Sequence, residues 1–204
     1  FIHPHPPFCP PAPWHKLFRE MPEAPFVPEE TPDLKYLFPP AFDLDNSMDM
    51  TDMDIRRAKN FYYACVSFMD YQIGRITDAL KAKGMYDDTA ILFIADHGET
   101  RGDYRHTGKR TMLSCANRIP FILRVPGMEG GERTDPVSLV DVAPTLLSLF
   151  GVDYDPADFY GIDILSGKHS EVYSQYECGE KACYMVAGAE DKLIYNASND
   201  KYAY

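Results

Sequence analysis

Apolar residues recur every three or four positions between Thr51 and Gly84. This spacing predicts an amphipathic helix of roughly 30 residues, because it places the apolar side chains on one face. Thr51, with Asp54 three residues later, is typical of a helix N-cap. Gly84 is typical of the residue that follows a helix end.

Two continuous apolar runs, residues 89–95 and 120–125, predict strands. The first run is expected to be buried on both faces, as in an interior strand of a parallel sheet. Asp96 and His97 follow it immediately. Open α/β sheets bind their ligands at this carboxyl edge, so these two residues are the first candidates for a site.

The rest of the chain completes an α/β pattern with a small antiparallel β appendage. Residues 138–150 predict a turn or short strand that leads into a helix, with Pro144 in its first turn and Gly151 at its end. Short alternating segments at 171–176, 184–187 and 192–195 predict the antiparallel sheet.

Residues 3–50 are rich in proline and aromatic residues. Proline at this density excludes the interior of helices and central strands. The segment is predicted to be a long ordered loop with one short helix, held in place by its aromatic side chains. Loops of this length in compact domains are functional or disordered.

Charge and composition narrow the classes of function. The 204 residues carry a net charge of −11, which argues against nucleic acid as a partner, because binding phosphates needs a basic surface. The sequence has no run of about 18 apolar residues, so no membrane-spanning helix is expected. The five cysteines fit neither a disulfide framework nor a zinc site, and only Cys178 and Cys183, on either side of a predicted turn, could pair.

Asp96 and His97 could both turn towards one cation, because Gly98 permits an irregular backbone. The carboxylate suits Ca²⁺, Mg²⁺ or Mn²⁺, and the imidazole favours Mn²⁺ or Zn²⁺. The alternative interpretation is a capping turn after a strand.

Lys109 could contact a sulfate or phosphate oxygen as a point charge. Its alternative is a solvated surface lysine. His3 and His5 lie in a rigid, proline-bounded segment and could act as a general acid or donate to an anion. A structural role is the alternative for both histidines.

Taken in order, these segments resemble the sulfatase family of the alkaline phosphatase superfamily. The resemblance is closest to the phosphonate monoester hydrolase and arylsulfatase-like branch. The motifs that carry it are Phe1-Ile2-His3-Pro4-His5-Pro6-Pro7-Phe8, Met69-Asp70-Tyr71-Gln72-Ile73-Gly74-Arg75-Ile76, Asp96-His97-Gly98-Glu99, Gly108-Lys109, Arg118-Ile119-Pro120-Phe121 and Val140-Asp141-Val142-Ala143-Pro144-Thr145.

The resemblance implies that residues 1–162 are part of a three-layer alkaline-phosphatase-like α/β domain. Residues 163–204 would then be a truncated, small antiparallel β subdomain. It also implies that Asp96 and His97 bind a divalent cation, with Ca²⁺ expected and Mn²⁺ the alternative. Lys109 and His5 would then grip the sulfate or phosphonate group and serve in catalysis.

In this family the nucleophile is a formylglycine made from a Cys or Ser in a Cys/Ser-x-Pro-x-Arg motif. Cys9-Pro10-Pro11-Ala12-Pro13 lacks the arginine, so the nucleophile is expected upstream of Phe1 and the isolated chain is expected to be inactive. Absent strands would also expose sheet edges, which favours self-association. Tyr104 stands where relatives often carry a histidine, with His106 nearby.

The function predicted for the parent protein is hydrolysis of a small-molecule or saccharide sulfate ester. The alternatives are a phosphonate or phosphate ester hydrolase of the same superfamily and a non-catalytic binding module. A phosphomutase or nucleotide pyrophosphatase is disfavoured, because those enzymes need further ligands and the chain has six histidines. The resemblance is compatible with a periplasmic or secreted location, and a cytoplasmic location stays open.

Overall fold

The computed structural model describes residues 1–19 and 50–203. The long loop predicted for residues 3–50 therefore lies largely outside the described residues. Of its first part, residues Trp14–Lys16 form a single 3₁₀ turn. Trp14 packs against Phe68 and Tyr71 with ring centroids 5.1 and 5.0 Å apart, so aromatic contacts do hold this part of the chain.

The long helix is confirmed as α1 (Asp52–Ala82), 31 residues in length. The Thr51 hydroxyl accepts the N–H of Asp54 at 3.2 Å, and the Asp54 carboxylate accepts the N–H of Thr51 at 3.2 Å. This reciprocal capping box satisfies two amides that would otherwise lack partners. Gly84, with φ of 66°, follows the helix end as predicted.

Strands β1 (Ile91–Ile94) and β2 (Phe121–Arg124) pair with each other in an antiparallel ladder, from Ile91 opposite Arg124 to Ile94 opposite Phe121. The prediction of an interior parallel strand is therefore wrong for the described residues, where the two strands form a sheet of their own. The chain between them forms an irregular loop and the short helix α2 (Ser114–Asn117) rather than a crossover helix, so β2 returns antiparallel.

The helix predicted within residues 138–150 is confirmed as α3 (Val142–Leu149), preceded by a 3₁₀ turn at Leu139–Asp141. Pro144 lies in its first turn, where a missing N–H costs nothing. The fully buried Asp141 carboxylate accepts the N–H groups of Ser138 at 2.7 Å and Ile162 at 2.9 Å, and contacts His169 at 2.8 Å.

The predicted antiparallel sheet is confirmed and has the order β3-β4-β5-β6. Its core face packs Met112, Cys183, Met185 and Ile194 into one buried cluster. Its strands are β3 (Val172–Tyr176), β4 (Cys183–Ala187), β5 (Lys192–Asn196) and β6 (Lys201–Ala203). The alternation of core and outer residues that predicts such a sheet is thus met.

The structure contradicts a Cys178–Cys183 pair, because none of the five cysteines, all of which lie in the described ranges, forms a disulfide bond. Cys178 is exposed, whereas Cys183 is buried in the sheet core, so the two face different environments. Burial raises the pKa of the Cys183 thiol to about 11.

The described chain forms two compact units. One contains residues 1–19, 50–109 and 118–130, and the other contains residues 110–117 and 131–203. All four candidate site residues belong to the first unit. The boundary near residue 162 stays a prediction. In the described ranges, none of the helices has the length and apolar character needed to cross a membrane.

Candidate functional site

Asp96 and His97 follow closely after strand β1 along the chain. Asp96 follows the strand end by two residues, and its side chain is 85% exposed. One carboxylate oxygen, Oδ1, accepts the backbone N–H of His97 at 3.0 Å. The turn therefore fixes the carboxylate against its own backbone while leaving it open to solvent.

The hydrogen bond of His97 defines which ring nitrogen can bind a cation. Nδ1 lies 2.9 Å from the carbonyl oxygen of Gly98. A carbonyl can only accept, so Nδ1 carries the proton and Nε2 of the neutral ring keeps its lone pair. Nε2 lies 3.5 Å from Oδ2 of Asp96. Two electron-pair donors at this separation could share one divalent cation. Histidines that bind a metal through one ring nitrogen commonly donate the other N–H to a carbonyl, as His97 does here.

Asp96 and His97 supply two donors and no more. Among residues 1–19 and 50–203, no group of three or more His, Cys, Asp or Glu side chains could hold a metal ion. The capping-turn interpretation also has support, because the Asp96 carboxylate does accept a backbone N–H. The pair therefore fits part of a cation site, and the choice between Ca²⁺ and Mn²⁺ stays a prediction.

A closed loop, residues 99–108, joins this edge to Lys109. Thr100 N–H donates to the carbonyl of Gly108 at 2.8 Å, and Gly108 N–H donates to the carboxylate of Glu99. Gly102 has φ of 94°, and a Cβ at this position would lie 2.2 Å from Cγ2 of Ile55. Only glycine fits here, because both the backbone conformation and the close approach to helix α1 exclude a side chain.

Helix α1 supports this loop through polar and aromatic side chains. The Lys59 ammonium is buried and lies 3.1 Å from Oδ1 of Asp103. The guanidinium of Arg101 lies 4.7 Å from the centroid of the Tyr62 ring, a cation–π distance. Lys59 and Tyr62 are three residues apart and so share one helix face.

Lys109 follows directly after this closed loop and is half-buried. The backbone of its neighbour Gly108 has φ of 106°, which glycine adopts without strain. The Lys109 side chain thus starts from a restrained backbone.

His5 is exposed, and its Nδ1 lies 2.7 Å from the carbonyl oxygen of Pro6. By the same reasoning Nδ1 is the protonated nitrogen, and Nε2 is left to contact solvent or a substrate. His3 packs edge-on against Phe68 with centroids 5.9 Å apart, which supports a structural role for it. The nearby Phe8 packs on Tyr62 at 5.5 Å.

Among the four predicted residues, Asp96 and His97 are in direct contact. Lys109 is connected to them through the loop. His5 lies three residues before Phe8, which packs on Tyr62, and Tyr62 in turn contacts Arg101 of the loop. Direct contacts of His5 or Lys109 with Asp96 are not found in the described part of the chain.

Sequence reasoning missed the residues that hold the loop: Lys59, Tyr62 and Thr100, and the role of Glu99. A lysine four positions after Ile55, on the apolar face of the helix, was the available signal. Tyr104, in the loop, adopts φ of 55°. His106 is 2% exposed, and burial lowers its pKa to about 4.

A cavity of about 900 Å³ lies elsewhere in the first unit, against the second half of α1. Its lining includes Phe1, Ile2, Phe68, Ile76 and Leu80, and none of the four candidate residues. The candidate chemistry and the cavity are therefore separate features.

The matching family model is that of sulfatases, described as "Sulfatase", which covers residues 1–152. The chain belongs to the sulfatase family. This confirms the family suggested by the motifs that surround Asp96, His97 and Lys109.

Related proteins are longer than this chain. A choline-sulfatase of Rhizobium meliloti (strain 1021) is 31% identical over 76% of this chain and 31% of its own length. A sulfatase of Formosa agariphila is 28% identical over 99% of this chain and 46% of its own length. The structure of a phosphonate monoester hydrolase from Silicibacter pomeroyi matches 98% of this chain and 47% of its own, with a TM-score of 0.81 and 26% identity. The chain thus spans less than half the length of these relatives. The structural match confirms the alkaline-phosphatase-like α/β fold.

Proposed function

We propose that the full-length protein that carries this sequence hydrolyses sulfate esters. The observation that carries the proposal is the Asp96–His97 pair at the end of β1. It holds a carboxylate oxygen and an imidazole nitrogen 3.5 Å apart and open to solvent. A sulfate ester bears negative charge, and its hydrolysis needs positive groups around the sulfur oxygens.

Two side chains would supply such groups directly. The Lys109 ammonium offers three donors to the non-bridging oxygens of the bound ester and offsets their charge. His5, as an imidazolium that keeps its Nδ1 proton on the carbonyl of Pro6, would donate its Nε2 proton to the leaving oxygen. These roles make His5 and Lys109 both substrate-binding and catalytic.

Two groups outside the chain's own side chains are implied. A divalent cation held by Asp96 and His97, Ca²⁺ by our preference with Mn²⁺ as the alternative, would supply Lewis-acid stabilisation of the ester oxygens. A formylglycine would supply the attacking oxygen. Cys9 lies in a segment without the arginine of the formylglycine motif, so we assign it no such role.

The substrate class is proposed from the relatives. A choline-sulfatase among the relatives supports a small sulfate ester, and a saccharide sulfate is the other form we consider. Hydrolysis of a phosphonate monoester is the second candidate, which the likeness to the Silicibacter pomeroyi enzyme specifically favours.

The test compares 4-nitrophenyl sulfate with a 4-nitrophenyl phosphonate monoester as substrates of the full-length protein. We expect turnover, with kcat/KM lowered about 10²- to 10³-fold in Lys109→Ala and Asp96→Ala. Lys168→Ala and Asp88→Ala change exposed residues of the same types and should leave kcat/KM intact. His5→Ala should lower it and His15→Ala should not.

The outcomes separate the alternatives. Turnover of the phosphonate alone would move the assignment to the second candidate. Full activity in Lys109→Ala and Asp96→Ala would overturn the assigned site. Absence of turnover of both esters, with Ca²⁺ or Mn²⁺ supplied, would favour a non-catalytic module. The 204-residue chain alone is expected to be inactive, and its turnover of either ester would contradict the upstream nucleophile.

A further inference from the structure

The peptide groups on both sides of Gly108 are held by two buried residues at the start of the loop. The N–H of Gly108 donates to the carboxylate of Glu99, and its carbonyl accepts from Thr100 N at 2.8 Å. The Thr100 hydroxyl lies 3.0 Å from the same carbonyl and 2.9 Å from that of His106. Thr100 is fully buried and Glu99 is 7% exposed, so these bonds are shielded from water.

The bonded carbonyl of Gly108 belongs to the peptide that continues into Lys109. Thr100 therefore fixes the peptide plane from which the lysine starts. Glu99 fixes the preceding plane, and together they leave the backbone one orientation at this point. Both residues lie within four positions of Asp96, so they link the lysine backbone to the strand end that carries Asp96 and His97.

We infer that Thr100 and Glu99 are positioning residues that set the location of the Lys109 ammonium for the anionic group of the substrate. The inference rests on the function proposed above, in which Lys109 contacts that group. Its physical basis is that a misplacement of about 1 Å at a catalytic group can lower a rate about 10²-fold. If these bonds only stabilised the loop, the effect of a Thr100 substitution on kcat/KM would be the same with and without the Lys109 side chain.

The matched pair Thr100→Val and Thr100→Ser tests this in the full-length protein. Valine keeps the shape of threonine and removes the hydroxyl, whereas serine keeps the hydroxyl. We expect Thr100→Val to lower kcat/KM for the preferred ester about 10-fold and Thr100→Ser to retain most of it. Wild-type kcat/KM in Thr100→Val would overturn the inference.

A double-mutant cycle separates positioning from simple structural support. If Thr100 acts through Lys109, Thr100→Val should cause no further loss in a Lys109→Ala background. If the two losses multiply, Thr100 acts independently of Lys109 and the inference fails. Should Thr100→Val not fold, Glu99→Gln, which keeps an acceptor oxygen, and Glu99→Ala, which removes it, take its place in the same cycle.

Binding of inorganic sulfate gives a second readout that needs no turnover. We expect Thr100→Val and Lys109→Ala to weaken sulfate binding and the double variant to be no weaker than Lys109→Ala alone. If Lys109→Ala changes neither binding nor turnover, the role proposed for Lys109 fails and the inference with it, whereas absence of turnover in the wild type would count against the proposed function. If Lys109→Ala changes them and Thr100→Val does not, the inference alone fails.

Discussion

The loop at residues 99–108 and the sheet β3–β6 reach order by different physical means. The sheet buries an apolar cluster that includes Cys183, Met185 and Ile194. The loop buries polar groups instead, namely Glu99, Thr100 and His106. Its order comes from hydrogen bonds between side chains and backbone, which are expensive to leave unmade when buried.

The two regions should therefore differ in how well they tolerate substitution. An apolar core accepts substitutions of similar volume, since its interactions are not directional. A hydrogen-bonded loop fixes positions through directional contacts, so it depends on each residue that makes them. The candidate site residues Asp96, His97 and Lys109 flank the loop and not the sheet, which is where fine positioning is needed.

The largest effect is expected from Gly102→Ala. The new Cβ would lie 2.2 Å from the buried side chain of Ile55, and alanine would have to adopt φ of 94°. Overpacking and left-handed backbone together should lower the free energy of unfolding by about 3–5 kcal/mol. Chemical denaturation measures this change, and kcat/KM should fall with it.

Gly130→Ala is the matched control, because nothing lies within 4 Å of the position that its Cβ would take and its φ is not in the left-handed region. It should leave the free energy of unfolding within about 0.5 kcal/mol of the wild type. Equal stability of the two alanine variants would contradict the close packing of the loop on α1.

Ile194→Ala should destabilise the sheet and leave the candidate site unchanged. Ile194 is 4% exposed in the apolar core, and its truncation should cost about 2–4 kcal/mol. Ile194→Val should cost about 1 kcal/mol. The kcat/KM per folded molecule should stay at the wild-type value in both. A selective loss of kcat/KM in folded Ile194→Val would show that the two regions are coupled.

The buried His106 should make the stability of the loop depend on pH. Burial lowers its folded pKa to about 4, below the unfolded value of 6.5, so the unfolded state binds more protons between these values. Stability is therefore fully present above pH 6.5 and falls as the pH drops towards 4. Between about pH 7.5 and about pH 5 the loss should be about 2 kcal/mol.

Denaturation curves at several pH values check this prediction. His106→Gln should remove this part of the pH dependence, and His15→Gln, at an exposed position, should leave it unchanged. An identical pH profile in His106→Gln and the wild type would contradict it.

The sequence predicts the elements that bury apolar faces better than it predicts the hydrogen-bonded loop. Period-2 alternation predicts the sheet, and the spacing of three and four predicts α1, because both depend on burial of apolar faces. The capping box of Thr51 and Asp54 is also local, and the sequence indicates it. The parallel pairing predicted for β1 is wrong, since a continuous apolar run fits parallel and antiparallel neighbours alike.

The candidate site was predicted by residue but not by geometry. Family motifs identify Asp96, His97, Lys109 and His5, and their assigned roles stay predictions. The bonds that hold the loop have no sequence period: Thr100 and Gly108 are eight residues apart, and Lys59 and Asp103 are 44 apart. Only the folded chain shows that Lys59, on an otherwise apolar face, supports the loop.

The smallest effect is expected from Thr51→Ala at the start of α1. Loss of the hydroxyl removes the cap on the Asp54 amide, and Thr51 lies one turn before Ile55 and two before Lys59. The free energy of unfolding should fall by about 1 kcal/mol, and Thr51→Ser should restore most of it. Because α1 contacts the loop through Ile55, Lys59 and Tyr62, the amides of residues 99–108 should exchange faster with solvent, while those of β4 and β5 keep their rates. Equal acceleration in both regions would mean that the cap stabilises the whole chain and that the loop has no special dependence on the helix.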